Sequence, residues 1–270
     1  MLDARLLVCA ALGIDHVALV RDPDVALGER AAQVTAFAQR RLAREPVSRI
    51  LGRREFWGLR LDVTPDVLDP RADSETLVEA ALAALPDRAA PLRFLDLGTG
   101  SGALLCALLH EYPNASGVGT DLSPAGCAVA AANLATLGLA GRGEIVCGDW
   151  GAGLEERFDL VVSNPPYIES AAVATLALEV RAHDPRLSLD GGGDGLDCYR
   201  AILRQLPRVL APSGRAVLEA GAGQAEAIKA LAEAQGFDIA KIRHDFGGTA
   251  RALVMALREI EAPNPQAIAE

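Results

Sequence analysis

The chain is poor in lysine, poor in aromatic rings and without a paired-cysteine motif. Lys229 and Lys241 are its only two lysines. Aromatic residues make up 4% of the 270 positions, and the formal net charge is −10, from 26 basic against 36 acidic residues. An excess of negative charge argues against broad binding to nucleic acid, whose non-specific affinity comes from basic side chains meeting phosphate. Five scattered cysteines (Cys9, Cys106, Cys127, Cys147 and Cys198) show no CxxC pair and no His/Cys spacing for zinc. Most sit in apolar runs, where a free thiol is a small hydrophobe, and no metal is expected. The four histidines are likewise scattered. The first apolar run, Leu6 to Ile14, is too short to cross a bilayer and lacks the layout of a signal peptide. The expectation is a cytoplasmic, reducing setting, no membrane association and a monomer.

What is present is a globular composition, 50% hydrophobic and 23% charged, long enough for a large core. Its texture changes near residue 90. Before that point the spacing predicts helices over about 2–12, 23–44 and 73–85, the second starting at Pro23 and Asp24. Between them Leu59, Leu61 and Val63 alternate with polar residues after Gly58, which predicts a β-hairpin over 53–63. After Pro91 strands and helices alternate. Strands are expected at 93–97, 116–120, 143–147, 158–163, 215–220, 237–243 and 251–257. Helices are expected at 101–111, 124–137, 170–181, 195–210 and 223–235. That order implies an α/β fold with a mostly parallel sheet, and a last hairpin turning at Gly247–Gly248. The expected division is a helical region over 1–52, a hairpin and linker over 53–90, a catalytic domain over 91–262 and a flexible tail over 263–270.

Two motifs carry chemistry. Asp96-Leu97-Gly98-Thr99-Gly100-Ser101-Gly102 follows the first strand of the sheet and opens a helix. Glycines there let the backbone turn and approach a ligand. Asp121 ends the next strand, where a carboxylate can accept both hydroxyls of a ribose. This loop alone suits NAD as well as S-adenosylmethionine. The second motif decides: Phe158 to Ser163 reads as a buried strand and runs into Asn164-Pro165-Pro166-Tyr167. Two prolines stop the strand and stiffen the turn. A planar NH₂ group offers two donors. The Asn164 oxygen accepts one, and a backbone carbonyl of the Pro165–Pro166 turn accepts the other. Held so, the nitrogen is aimed at an electrophilic methyl group, with Tyr167 packing over the planar group. Asn164, Pro165 and Tyr167 are the expected catalytic residues.

These motifs resemble class I S-adenosylmethionine-dependent methyltransferases, and their ordered set resembles the PrmC/HemK release factor glutamine methyltransferases. The hairpin Glu55-Phe56-Trp57-Gly58, the linker Thr64 to Glu75, the loop Asp96 to Gly102, Asp121, Gly148-Asp149-Trp150, Asn164 to Tyr167, and Pro185 to Gly192 stand in the family's order. The resemblance implies a Rossmann-like seven-stranded class I methyltransferase domain, a small N-terminal helical domain that docks the substrate, and a β-hairpin linker. It implies S-adenosylmethionine as cofactor, with S-adenosylhomocysteine as product. Asp96, Gly98, Thr99, Gly100, Ser101, Gly102, Asp121, Leu122, Asp149, Trp150 and Asn164 would bind it, Trp150 lying against the adenine. Asn164, Pro165, Pro166, Tyr167, Phe56, Arg71 and Glu75 would bind the substrate. That substrate would be the glutamine of the Gly-Gly-Gln motif of peptide chain release factors.

Departures from the family pattern fall at Asp69 and Ala72, where an aliphatic residue and a second proline are usual. A further departure is expected around Asp245 to Arg251, in the late Asp-x-x-Gly-x-x-Arg-type segment. A DNA adenine or cytosine aminomethyltransferase would satisfy the same two acceptors, and so would a ribosomal-protein glutamine methyltransferase. Arg40, Arg41, Arg44, Arg49, Arg53 and Arg54 cluster as a phosphate-binding patch would, but Glu29, Glu45 and Glu55 dilute them. Gly191-Gly192-Gly193 lacks the Lys-Ser or Lys-Thr of a phosphate loop and reads as a flexible loop.

Overall fold

The computed structural model describes residues 2–258. The expected tail over 263–270 lies outside the described residues. Four helices come first: α1 (Leu2–Leu12), α2 (His16–Arg21), α3 (Ala31–Leu42) and α4 (Val47–Leu51). The helix expected from Pro23 does not start there. Asp15 accepts from the Ala18 N–H at 2.7 Å and caps α2. Asp22-Pro23-Asp24 then forms a turn, with Val25 N–H on the Asp22 carbonyl. Helix α4 was not expected. It is bounded by Pro46 and by Gly52 at φ +69°, a start and stop too closely spaced to show a periodic face.

The hairpin forms as expected from β1 (Arg53–Phe56) and β2 (Leu59–Asp62). Both loop residues, Trp57 and Gly58, have positive φ (54° and 69°), the requirement of the two-residue turn that matches strand twist. Side chains fix the hairpin on the body behind it. Glu75 accepts from Trp57 N–H at 2.8 Å, and Glu111 from Trp57 Nε1 at 2.8 Å. Buried Asn133 accepts from Asp62 N–H and donates to the Asp62 and Ser101 carbonyls.

The linker leads through a short 3₁₀ turn, Ala72–Ser74, into α5 (Glu75–Ala84). There follow β3 (Arg93–Leu97), α6 (Ala103–Glu111), β4 (Ser116–Asp121), α7 (Pro124–Thr136), β5 (Gly143–Cys147), β6 (Phe158–Ser163), α8 (Ser170–Val173), α9 (Leu178–Arg181), α10 (Asp197–Val209), β7 (Leu210–Glu219), α11 (Ala225–Ala234), β8 (Phe237–His244) and β9 (Ala250–Leu257). Seven strands form one sheet in the order β5-β4-β3-β6-β7-β9-β8, with only the pairings of β9 antiparallel. Alternation along the strands divides the core. Phe94, Leu160, Val162 and Val217 face one side, with α5 and α6; Leu95, Val161, Ala216 and Leu218 face the other, with α10 and α11.

Further expectations need correction. The helix expected over 170–181 is two short helices, because the Thr175 hydroxyl donates to the Ala172 carbonyl at 2.7 Å and closes the first turn. Strand β7 begins at Leu210, not 215, since α10 passes directly into it and a bulge opposite Phe158–Leu160 absorbs the offset. The late segment keeps its spacing: Asp245, Gly248 and Arg251 stand at the pattern's Asp, Gly and Arg places. Asp245 accepts from the Thr249 N–H at 3.0 Å and from Arg251 at 3.0 Å, tightening the β8–β9 turn. The cysteines also divide differently: only Cys106 and Cys127 are buried, and Cys147 is exposed.

Candidate functional site

The parallel strands deliver their carboxyl ends to one edge, where loops build the site. Three glycines set the first loop: Gly98, Gly100 and Gly102 have φ of +71°, +54° and +80°, a region that side-chain-bearing residues rarely adopt. A cavity of about 420 Å³ opens in front of this loop. Asp96, Gly98, Thr99, Gly100 and Ser101 line it from β3, Asp121 and Leu122 from β4, Asp149 and Trp150 from β5, and Asn164 and Pro166 from β6. Phe56 and Arg71 wall it from the hairpin and linker. Gly102 does not line it; its positive φ lets Ala130 of α7 approach, and a Cβ there would sit 3.3 Å from the Ala130 side chain.

Donor accounting shows what the cavity suits. Asp121 accepts from the Gly100 N–H at 2.8 Å through one oxygen and from the Ser123 N–H at 2.9 Å through the other. Each oxygen keeps a second lone pair for a diol. Asp96 is buried and accepts from Thr99 Oγ1 at 2.7 Å, but its other oxygen has no partner. A buried orphan acceptor lining a cavity is a place for a cationic donor. Burial lifts the Asp96 carboxyl to about 7, against the opposing Thr99 hydrogen bond. Trp150 is held at φ +51° and lays its ring against the loop; a Cβ on Gly98 would meet it at 3.2 Å. A flat apolar face, a diol acceptor and an ammonium acceptor together fit S-adenosylmethionine.

A second cavity, of about 430 Å³, lies on the other side of Asn164. Tyr167, Ile168, Leu176, Val180 and Glu219 line it, and Leu68, Arg71, Asn164 and Ser188 line both cavities. Asn164 thus stands where the two spaces meet. Its Nδ2 donates to Ser74 Oγ at 2.9 Å, and Ser74 Oγ donates to Glu219 Oε2 at 2.5 Å. Tyr167 O–H reaches Glu219 Oε1 at 3.4 Å. Burial lifts the Tyr167 hydroxyl to about 12 and the Glu219 carboxyl to about 7. Pro165 is buried and lines neither cavity. Nor does Glu75, whose carboxylate is committed to the hairpin turn. Its neighbour Ser74 does reach the site, together with Leu68, Pro70 and Arg71 of the linker.

The turn after Asn164 is braced by the triple-glycine segment, which is not a free loop. Ile168 N–H donates to the Leu189 carbonyl, Gly191 N–H to the Ile168 carbonyl at 2.8 Å, and Ser170 N–H to the Gly192 carbonyl. A Cβ on Gly191 would lie 2.8 Å from the Pro166 carbonyl oxygen. Glycine is required there by the approach of one backbone to another. Gln224 adds a bond from Nε2 to the Tyr167 carbonyl at 2.9 Å. Ser74 lies within the linker that the resemblance singles out but is not itself among the residues it names, and spacing gives no sign of Glu219 or Gln224, because these groups meet across 50 residues or more.

Most of the arginine cluster is paired within the chain. Arg40 pairs with Glu45, Arg41 with Asp3 and Glu179, Arg44 with Glu179 and Arg49 with Asp184, while Arg54 lies 3.9 Å from Asp69. Asp69, at a departing position of the linker, also accepts from Ser48 Oγ of α4 at 2.7 Å. No helix among the described residues is long and apolar enough to cross a membrane.

Comparison with known proteins gives concordant results. The model for the PrmC N-terminal domain matches residues 1–52, and that for the methyltransferase small domain matches residues 73–196. The fold is similar to that of the Thermus thermophilus 16S rRNA N2 G1207 methyltransferase, solved with AdoMet and guanosine (TM-score 0.56, 21% identity, 77% of this chain and 50% of that one). The release factor glutamine methyltransferase of Bradyrhizobium diazoefficiens is 52% identical over 85% of this chain and 78% of its own. That of Rhodospirillum rubrum is 47% identical over 97% of this chain and 80% of its own. With identity at this level over most of its length, the chain belongs to the release factor glutamine methyltransferase family.

Proposed function

We propose that this protein methylates the side-chain amide nitrogen (N5) of the glutamine in the Gly-Gly-Gln motif of peptide chain release factors, and thereby modulates translation termination. The observation that carries the reading is the position of Asn164 at the junction of two cavities, one suited to the cofactor and one open to a side chain. Bound S-adenosylmethionine supplies a methyl group on a positively charged sulfur. Asp121 would hold its ribose, Asp96 its ammonium group, and Trp150 its adenine.

The remaining work falls to the Asn164–Tyr167 turn. An amide nitrogen is a weak nucleophile because its lone pair is delocalised into the carbonyl. Asn164 Oδ1 accepts one of its hydrogens, and a backbone carbonyl of the Pro165–Pro166 turn accepts the other. These acceptors fix the nitrogen's direction and stabilise the positive charge that grows on it as the bond to carbon forms. The product nitrogen is acidic, so its proton leaves without a dedicated base. Leu68, Ile168 and Leu189 give the second cavity an apolar wall beside Arg71, Asp73 and Arg251. The N-terminal helices are the surface on which the rest of the factor docks. A protein partner is also favoured by the net charge of −10 and by the internal pairing of the arginine cluster.

Purified protein, incubated with radiolabelled S-adenosylmethionine and a peptide chain release factor, should label the factor. A Gln→Ala change in the Gly-Gly-Gln motif should abolish the label. Label transferred to DNA or to a ribosomal protein, with none on the factor, would overturn the reading.

A further inference from the structure

An asparagine amide is nearly symmetric in shape, so its oxygen and nitrogen trade places with little steric cost. Methyl transfer tolerates only one orientation. With Oδ1 toward the target nitrogen the pair is acceptor and donor; reversed, two NH₂ groups face each other. Something beyond shape must choose between them.

We propose that Ser74 and Glu219 are positioning residues that set the orientation of the Asn164 amide, an inference that rests on the substrate reading above. Ser74 has one hydroxyl hydrogen. The Glu219 carboxylate, which can only accept, takes it at 2.5 Å. Toward Asn164 the same oxygen can therefore only accept, and it does so from Nδ2 at 2.9 Å. Oδ1 takes no hydrogen bond among the described residues and is left for the substrate. The polarity of the chain runs from carboxylate to hydroxyl to amide, and each member is confined. Ser74 and Glu219 are buried, Ser74 on the 3₁₀ turn of the linker and Glu219 at the end of β7. Two elements distant in sequence thus determine which atom of a third faces the reaction.

The arrangement depends on Glu219 being ionised. A protonated carboxyl can donate to Ser74, which can then turn its own hydrogen toward Asn164 and favour the reversed amide. Burial raises the Glu219 pKa to about 7, and the Asp73 charge adds to that; Ser74, Arg251 and the Tyr167 hydroxyl oppose it. Around it stand Asp73 from the 3₁₀ turn, Tyr167 after β6, Tyr199 of α10, whose hydroxyl donates to the Glu219 carbonyl, and Arg251 of β9, itself paired with Asp245. Activity should therefore rise with pH across the neutral range.

The test measures kcat, the KM for the release factor and calorimetric cofactor affinity for the wild type, Ser74→Ala, Ser74→Thr and Glu219→Gln, with kcat followed across pH. Ser74→Ala should lower kcat by ~10-fold, the scale of losing one oriented hydrogen bond in the transition state. Cofactor affinity and KM should stay within about twofold, since uniform binding is untouched. Ser74→Thr keeps the hydroxyl and should restore most of the rate. Glu219→Gln keeps an oxygen acceptor but does not titrate, so the acid limb expected near pH 7 in the wild type should vanish. Undiminished kcat in Ser74→Ala, or a loss confined to KM or cofactor affinity, overturns the positioning role. An unchanged acid limb in Glu219→Gln overturns the part given to Glu219. A wild-type protein that leaves the factor unlabelled overturns the substrate reading, and this inference with it.

Discussion

Arg49 and Asp184 form an ion pair of 2.6 Å in which both side chains are almost wholly buried, at 3% and 1% exposure. One lies on α4 of the N-terminal helices, the other in the loop that follows the Asn-Pro-Pro-Tyr turn. Arg49 also donates to the carbonyls of Thr64 and Val67 in the linker, and Asp184 also pairs with Arg71 at 2.5 Å. A single cluster therefore holds three segments together: the N-terminal helices, the linker and the segment that contains Asp184. Arg49 and Asp184 themselves line neither site cavity, whereas their partner Arg71 lines both.

Asp184→Ala leaves a buried guanidinium without its carboxylate. Removing one partner of a buried pair costs about 3–5 kcal/mol, so thermal or urea unfolding should show a large loss of stability. The linker should also loosen, because Arg71 and the Asp69 N–H lose the same acceptor. Replacing both Arg49 and Asp184 by apolar residues of similar volume should recover much of that loss, because no charge is then stranded. A single variant as stable as the wild type would mean that the pair does not hold these segments.

Asn164→Ala separates binding from chemistry. It would remove the acceptor proposed for the target nitrogen while leaving Asp96, Asp121 and Trp150 in place. The rate should fall by ~10²-fold or more, the scale for losing a group that stabilises developing charge. Calorimetry should find cofactor affinity nearly unchanged. Lost affinity with a preserved rate at saturation would assign Asn164 to the cofactor instead.

Asp121→Ala should do the reverse. The side chain accepts from the Gly100 and Ser123 N–H groups, so its loss should relax that loop and, on the proposed reading, take away the ribose acceptor. The cofactor dissociation constant should rise by about tenfold or more, the effect of losing one or two charge-assisted hydrogen bonds. The kcat at saturating cofactor should be largely kept. Equal cofactor affinity in the variant would remove Asp121 from the binding site.

The sheet, the hairpin, the glycine loop and the Asn-Pro-Pro-Tyr turn were legible because their signals are local. Strand alternation, positive-φ glycines and paired prolines each act within a few residues. On the cofactor side the glycine loop and Asp121 could be read in the same way, since residues at the ends of β3 and β4 meet at one edge of a parallel sheet, while Asp149 and Trp150 were implied only by the family resemblance. The other side could not. Ser74 rather than Glu75 reaches the site because a 3₁₀ turn rotates the linker just before α5. Glu219 looks like an ordinary polar end to an apolar strand until β7 places it behind Asn164. Gly191 looks like flexibility until Pro166 is found packed against it. In each case the deciding partner is far along the chain, and no local pattern carries that information.

The orphan oxygen of Asp96 gives a pH dependence whose sign can be worked out. In the free protein, burial raises this carboxyl to about 7 from an ordinary value of 3.8. Desolvation disfavours its charge, so this group contributes most stability below its unfolded pKa, and the contribution declines as pH rises toward 7. A bound ammonium group reverses the preference by favouring the ionised form. Binding then expels a proton wherever the free carboxyl is protonated. Cofactor affinity should rise from about pH 5.5 to pH 7, by up to roughly tenfold per pH unit for a single coupled proton, and level off above. Calorimetry in buffers of different ionisation enthalpy should detect proton release at the lower end of that range. Asp96→Asn cannot ionise. It should bind the cofactor more weakly at pH 7.5, show no proton release from this site, and be more stable than the wild type without cofactor at that pH. A variant that binds as tightly as the wild type, with the same pH profile, would mean the ammonium group is held elsewhere.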